Sequence, residues 1–189
     1  MTERLPHYAR SDARDNRERI LEAAGAAFAA EGVDVTMRDL ARRAGVGTAT
    51  LYRHFPTKEI LATEAFTRRM AACADAVERG LADPDPWRGF RTVVEEVCVL
   101  HALDQGFASA FTATFPRAVD LSRVRERGLR SLALLARRAK DAGALRADFV
   151  LDDLILALMA HRGIRAESPA ATAAAARRLA ALLIRSFRA

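Results

Sequence analysis

The sequence predicts an all-α fold. Three observations carry this expectation. β-branched residues are sparse while alanine, leucine and arginine are abundant. Apolar residues recur at helical spacing in one segment after another. No run alternates with the period of two that a half-buried strand would need. Hydrophobic residues make up 51% of the 189 positions, enough for a packed core and too many for wholesale disorder. The pattern divides at a small N-terminal three-helix domain, residues 1–57, and a larger helical domain, residues 58–189.

Residues 1–13 read as a mobile arm, in which Arg4 and Arg10, with Arg14 and Arg17 beyond it, could touch a DNA backbone. A solvated tail reads equally well. The first helix is expected from Asp15 to Glu31, with Ile20, Leu21, Ala24, Ala27 and Phe28 on its apolar face and Gly32 ending it. The fourth is expected from Lys58 to Arg79, with Ile60, Leu61, Phe66, Met70, Cys73 and Val77 buried. Gly80 and the segment 83–86, Asp-Pro-Asp-Pro, then break the chain. Five further helices are expected over Trp87–Leu103, Gln105–Thr114, Arg117–Asp141, Leu151–Gly163 and Ala170–Phe187. Pro116 and Pro169 fall near helix starts, where a missing N–H costs little.

Between the first and fourth helices lies the most informative segment, Thr36 to Lys58. Thr36 is placed to cap a short helix, with Asp39 three residues on. Ala44-Gly45 closes it, and Val46 fills the angle before a second short helix from about Gly47 to His54. Leu51 and Phe55, four apart, point inward. The other face carries Thr48, Ala49, Thr50, Tyr52, Arg53 and His54. Pro56 stops the helix and Thr57 caps the next. This is a helix-turn-helix pattern, in which the second helix lies in the major groove. Small and hydroxylated side chains let its backbone approach base edges, while Arg38, Arg53 and Lys58 offer charge to flanking phosphates. An ordinary helical corner would share the turn; polar crowding on one face of so short a helix argues for DNA.

Residues Ile20 to Leu61 resemble the DNA-binding domain of the TetR family of one-component transcriptional regulators. The run Thr-Leu-Tyr-Arg-His-Phe at 50–55, followed by Pro-Thr-Lys-Glu-Ile-Leu, is close to the family signature. Gly143 to Phe149 resembles a loop often found before the family's last two helices. One departure is Gly47, where the family often has serine; it weakens the helix cap and a phosphate contact there. The resemblance implies a homodimer on a pseudo-palindromic operator, released by a small hydrophobic effector bound in the larger domain, which also dimerises. The runner-up is a helical interaction protein of the same fold without DNA binding or without an effector.

Net charge is +6, which suits a phosphate-bearing partner. Yet residues 1–80 hold 13 basic and 12 acidic side chains, whereas 121–146 hold 8 against 2 and 161–189 hold 6 against 1. The basic excess therefore lies mostly outside the helix-turn-helix, and the DNA reading rests on which residues face the groove. There is no apolar leader at the N-terminus and no membrane-length apolar run, so a cytoplasmic protein without membrane contact is expected. No phosphate-binding glycine loop, nucleophile elbow or metal signature appears, so neither an enzyme nor a cofactor is expected.

Within the body, Phe66, Met70, Trp87, Phe90, Val94, Cys98, Phe107, Phe111, Phe115 and Leu132 lie on helices expected to converge. They form a candidate effector lining, with His101, Gln105, Thr112 and Thr114 as polar groups. Any one of them reads better as plain core; the case for a pocket comes mostly from the resemblance. Cys98 and His101, three apart, could share a metal, but two ligands do not make a site. Glu95 and Glu96 read as a solvated face. Leu151, Leu154, Ile155, Leu158 and Met159 form one late stripe, and Leu179, Leu182, Leu183 and Ser186, with Ala171, Ala174 and Ala175, form another. Each could face its own domain; the resemblance implies a four-helix dimer interface instead.

Overall fold

A computed structural model describes the backbone of residues 6–104 and 106–189, and the side chains of all of these except 6–13 and Leu121. Arg4 and Gln105 lie outside the described residues, as does the side chain of Arg10. Among the described residues there are nine helices: α1 (Pro6–Glu31), α2 (Met37–Arg43), α3 (Thr48–His54), α4 (Lys58–Ala82), α5 (Pro86–Leu103), α6 (Phe107–Thr114), α7 (Leu121–Asp141), α8 (Leu151–His161) and α9 (Pro169–Phe187). The one extended pairing among them is an isolated antiparallel bridge between Leu145 and Arg188.

The helix starts differ from the sequence expectation where polar residues hide the signal. α1 begins nine residues earlier, at Pro6 rather than Asp15, across a stretch with no apolar stripe. α7 begins at Leu121 because Asp120 caps it, accepting from the Arg123 N–H at 3.3 Å. α9 starts at Pro169, behind Ser168, which accepts from the Ala171 N–H at 3.1 Å.

The chain falls into two compact units. The first takes residues up to Arg68 together with Gly106–Val119; the second takes Arg69–Gln105 and Asp120–Ala189. α4 thus contributes its first half to one unit and its second half to the other, and α6 joins the first. Aromatic packing explains the placement of α6: Phe107 stacks on Phe28 at 5.2 Å between ring centroids, and Phe111 stacks on Phe66 at 4.4 Å. All four rings are almost completely buried.

In the second unit α5 packs against α7, α8 and α9. Its core joins Phe90, Val93, Val94, Val97 and Cys98 of α5 to Leu135 and Ala139 of α7, Leu154 and Ala157 of α8, and Ala180, Ile184 and Phe187 of α9. The loop after α7 ties this core to the chain's end. Gly143, at φ +69°, lets the Ala144 N–H reach back to the Ala139 carbonyl at 3.0 Å. The Arg146 N–H then bonds the Phe187 carbonyl at 2.9 Å, and Phe149 fits edge-on between Phe90 and Phe187.

Candidate nucleic-acid interface

The helix-turn-helix is built from the residues its pattern names. Thr36 Oγ1 accepts from the Asp39 N–H at 3.1 Å and donates to Asp39 Oδ2 at 2.7 Å, closing the start of α2. That second bond holds the Asp39 carboxyl below its ordinary range. At the far end Gly45 adopts φ +64°, a conformation most side chains resist. The Gly45 N–H meets the Arg42 carbonyl at 3.2 Å and the Val46 N–H meets the Ala41 carbonyl at 3.0 Å. These paired bonds fix the angle at which α3 leaves the turn.

Behind α3, Leu51 and Phe55 have no exposed surface. Burying each contributes roughly 2–3 kcal/mol, which orients so short a helix. Its front carries Thr48, Ala49, Tyr52 and Arg53 exposed, and Thr50 half-buried. Tyr52 is 47% exposed. Gly47, the residue before α3, is extended and makes no side-chain cap, as the departure from the family pattern implies.

The remaining candidate residues are differently engaged. Thr36 is spent on its cap. Lys58 donates to the Val33 carbonyl at 2.8 Å, leaving two of its three N–H groups. His54 is half-buried, and its Nε2 is buried without a hydrogen-bond partner among the described residues. Three of the unit's described arginines are internal clamps. Arg17, one of the arginines that could touch a DNA backbone, grips Glu64 at 2.5 Å and lies 5.1 Å over the Phe55 ring. Arg43 holds Glu31 through two bonds at 2.5 and 2.9 Å, and Arg68 pairs with Glu18 at 2.6 Å. Arg38 and Arg53 are exposed and form no ion pair among the described residues.

The residues of the candidate effector lining divide between the two units, with Leu132 packed against the core of the second. Phe66, Phe107, Phe111 and Phe115 belong to the first, where Phe115 lies 5.7 Å from Phe111. Trp87, Phe90, Val94 and Cys98 belong to the second, with Trp87 stacked on Phe90 at 5.9 Å. Met70 and His101, also in the second, are half-buried. Aromatic spacing along the chain could not reveal this division, because each helix offers the same apolar signal to either unit.

On α8 and α9 the structure changes the stripe. Leu154, expected at the interface, is only 2% exposed and packs into the chain's own core. Leu151, Leu158 and Leu183 pack partly against the same core, and Ile155 and Leu179 are half-buried. The outward residues are Leu156, Met159 and Leu182, exposed by 67%, 62% and 50%. Sequence periodicity missed Leu156 because it sits between two inward leucines. An open groove of about 320 Å³ is lined by Leu156, Ala157, Ala160, Leu179, Leu183 and Phe187, with the Arg146–Asp153 ion pair at its polar side.

A short helix anchored by a buried back, fronted by small and hydroxylated side chains and set by a tight turn, defines a helix-turn-helix DNA-binding protein. Comparison with known proteins agrees. Residues 20–65 match the family described as bacterial regulatory proteins, tetR family, and residues 85–189 match the C-terminal domain of SbtR-like transcriptional regulators. An HTH-type transcriptional regulator of Staphylococcus aureus strain USA300 is 47% identical over 53 residues, 28% of this chain and 29% of that protein. The match therefore spans less than a third of that relative's length. The TetR transcriptional regulator SCO0520 from Streptomyces coelicolor is similar at 31% identity, over 91% of this chain and 98% of that one, with a TM-score of 0.70. A TetR regulatory protein from Mycobacterium vanbaalenii is similar at 29% identity, over 96% and 99%, with a TM-score of 0.64. A transcriptional regulator from Saccharomonospora viridis, solved in complex with choline, shares the fold at 22% identity over 92% and 97%, with a TM-score of 0.64. The chain belongs to the TetR family of DNA-binding transcriptional regulators. Among the described residues no helix is long and apolar enough to cross a membrane.

Proposed function

We propose that the protein is a homodimeric repressor acting in the cytoplasm on a pseudo-palindromic operator. Two α3 helices, one per subunit, enter successive major grooves about 34 Å apart. The observation that carries this reading is α3 itself: Leu51 and Phe55 wholly buried behind Thr48, Ala49, Thr50, Tyr52 and Arg53. Thr48, Ala49 and Thr50 approach base edges; Tyr52 and Arg53, with Arg38, Thr36, His54 and Lys58 around them, lie along the phosphates. The dimer forms on α8 and α9, where Leu156, Met159 and Leu182 are exposed and Leu156 lines a groove that a second copy would cover. A small, mainly hydrophobic effector bound in the larger domain changes the separation of the two readers, so that both half-sites are no longer engaged together.

The test is a gel shift with the chain's own upstream DNA, using Thr50→Glu and Tyr52→Ala beside wild type. Glutamate at 50 sets negative charge against phosphates and base acceptors, and Tyr52→Ala removes an exposed ring and hydroxyl. Both variants are expected to keep the wild-type circular dichroism and lose the shifted band. Wild-type footprints from both would remove α3 from the groove.

A further inference from the structure

The C-terminal end of α5 gathers polar groups inside the second unit. α5 and α9 run antiparallel: Phe90 near the start of α5 meets Phe149, which meets Phe187 at the end of α9. At about 1.5 Å per residue this register sets His101 level with Ala176, and Thr172 one turn beyond. His161 closes the same end from α8. It is fully buried, and both its ring nitrogens face carbonyls, Ala157 at 2.6 Å and Ala176 at 3.2 Å.

Two polar atoms here lack a partner among the described residues. Thr172 is 0% exposed and its hydroxyl is unbonded; His101 Nδ1 is buried and unbonded. Native folds rarely leave such groups unmatched, so they point to something that binds between them. The charged neighbours of His101 are Arg162, Asp104 and Arg69, with His161 beside it. Arg69 is committed: it pairs with Asp104 at 3.5 Å and donates to the Leu100 carbonyl at 2.5 Å. Arg162 has no ion-pair partner among the described residues, so the cluster carries one uncompensated positive charge. Cys98, Ala102 and Ala176, all fully buried, make the surroundings apolar.

We propose that this end of the second unit holds the head of a small carboxylate with an apolar body, gripped by the Thr172 hydroxyl and His101 Nδ1 and drawn in by Arg162. A carboxylate accepts several hydrogen bonds and satisfies the local charge, which an ammonium head would worsen. The inference rests on the effector-responsive reading above and gives that effector a chemical class.

The experiment titrates the full chain with sodium octanoate, octanol and choline chloride by calorimetry, and follows the His101 imidazole resonances by NMR. Octanoate is expected to bind at least about tenfold tighter than octanol, to shift the His101 resonances, and to lose about tenfold in affinity in Thr172→Val and in His101→Gln. Choline is expected not to bind. Equal binding of octanol and octanoate, binding of neither, or an unmoved His101 resonance in the wild-type octanoate complex would overturn the site. The resonance test needs no variant, so misfolding of either substitution leaves the result decisive. DNA release by octanol or choline with octanoate inert would overturn this site while keeping effector control. Octanoate bound at His101 without DNA release would keep the site and remove effector control.

Discussion

Gly80 of α4 and Gly89 of α5 meet backbone to backbone. A Cβ on Gly80 would lie 3.0 Å from the Gly89 carbonyl oxygen and run into the Val93 side chain; one on Gly89 would fall on the Gly80 carbonyl oxygen itself. Neither obstacle at Gly89 is a flexible side-chain tip, so the two helices cannot simply give way.

That contact reverses the usual rule for glycine in a helix. Alanine normally stabilises a helix interior by about 1 kcal/mol over glycine. At Gly128 in α7, where an added Cβ meets nothing within 4 Å, Gly128→Ala is expected to raise the melting temperature. Gly89→Ala should lower it, costing about 1–3 kcal/mol through overpacking. Thermal denaturation of the two variants side by side checks this. A stabilised Gly89→Ala would mean α4 and α5 are not packed this closely.

The helix-turn-helix was legible because its signals are local. Thr36, Gly45, Leu51, Phe55 and Thr57 each fix a cap, a turn or a buried back within a few residues, and the structure uses them so. The length of α1 was not, since polar residues before Asp15 form helix without an apolar stripe. Nor was the membership of α6. Its Phe107 and Phe111 choose Phe28 and Phe66, partners tens of residues away, and only long-range packing decides between two aromatic groups. Leu154 shows the same limit at one position: a helical stripe tells which residues are apolar, not which neighbour they bury against.

Salt dependence should report how few of the reader's cations are free. Arg17, Arg43 and Arg68 are held by Glu64, Glu31 and Glu18, while Arg38 and Arg53 are unpaired among the described residues. Each phosphate contact contributes about 0.9 to the slope of log affinity against log salt. Arg53→Ala should lower the slope by about 1 per subunit and weaken binding evenly across sequences. Arg43→Ala should leave the slope nearly unchanged. Binding isotherms at several salt concentrations decide; equal effects from both variants would show that the internal clamps open on DNA.

Dimerisation can be tested without disturbing the fold, because the most exposed apolar residues are distinct from the core ones. Leu156→Asp and Leu182→Asp change side chains that are 67% and 50% exposed in the single chain. In a dimer on this face each would bury an unpaired charge, costing several kcal/mol. Sedimentation is expected to give folded monomers. Leu154→Asp, by contrast, should unfold the second unit, since Leu154 lies in its core. A persistent dimer from both surface variants would place the interface elsewhere.

His101 sets an acid limb on stability. Burial first, and Arg162 next, lower its pKa from the ordinary 6.5 to about 4, with Asp104 opposing. The folded chain therefore keeps His101 neutral at pH values where the unfolded chain protonates it. Stability from this group is complete above about pH 6.5 and is lost as pH falls towards 4, because the unfolded state binds the proton first. The loss is on the order of 3 kcal/mol over that window. In His101→Gln, which cannot titrate, the difference between stability at pH 7 and at pH 4.5 should shrink by a comparable amount. Urea denaturation of both proteins at half-unit steps measures it. Parallel curves would mean that His101 takes up its proton as readily in the folded chain as in the unfolded one.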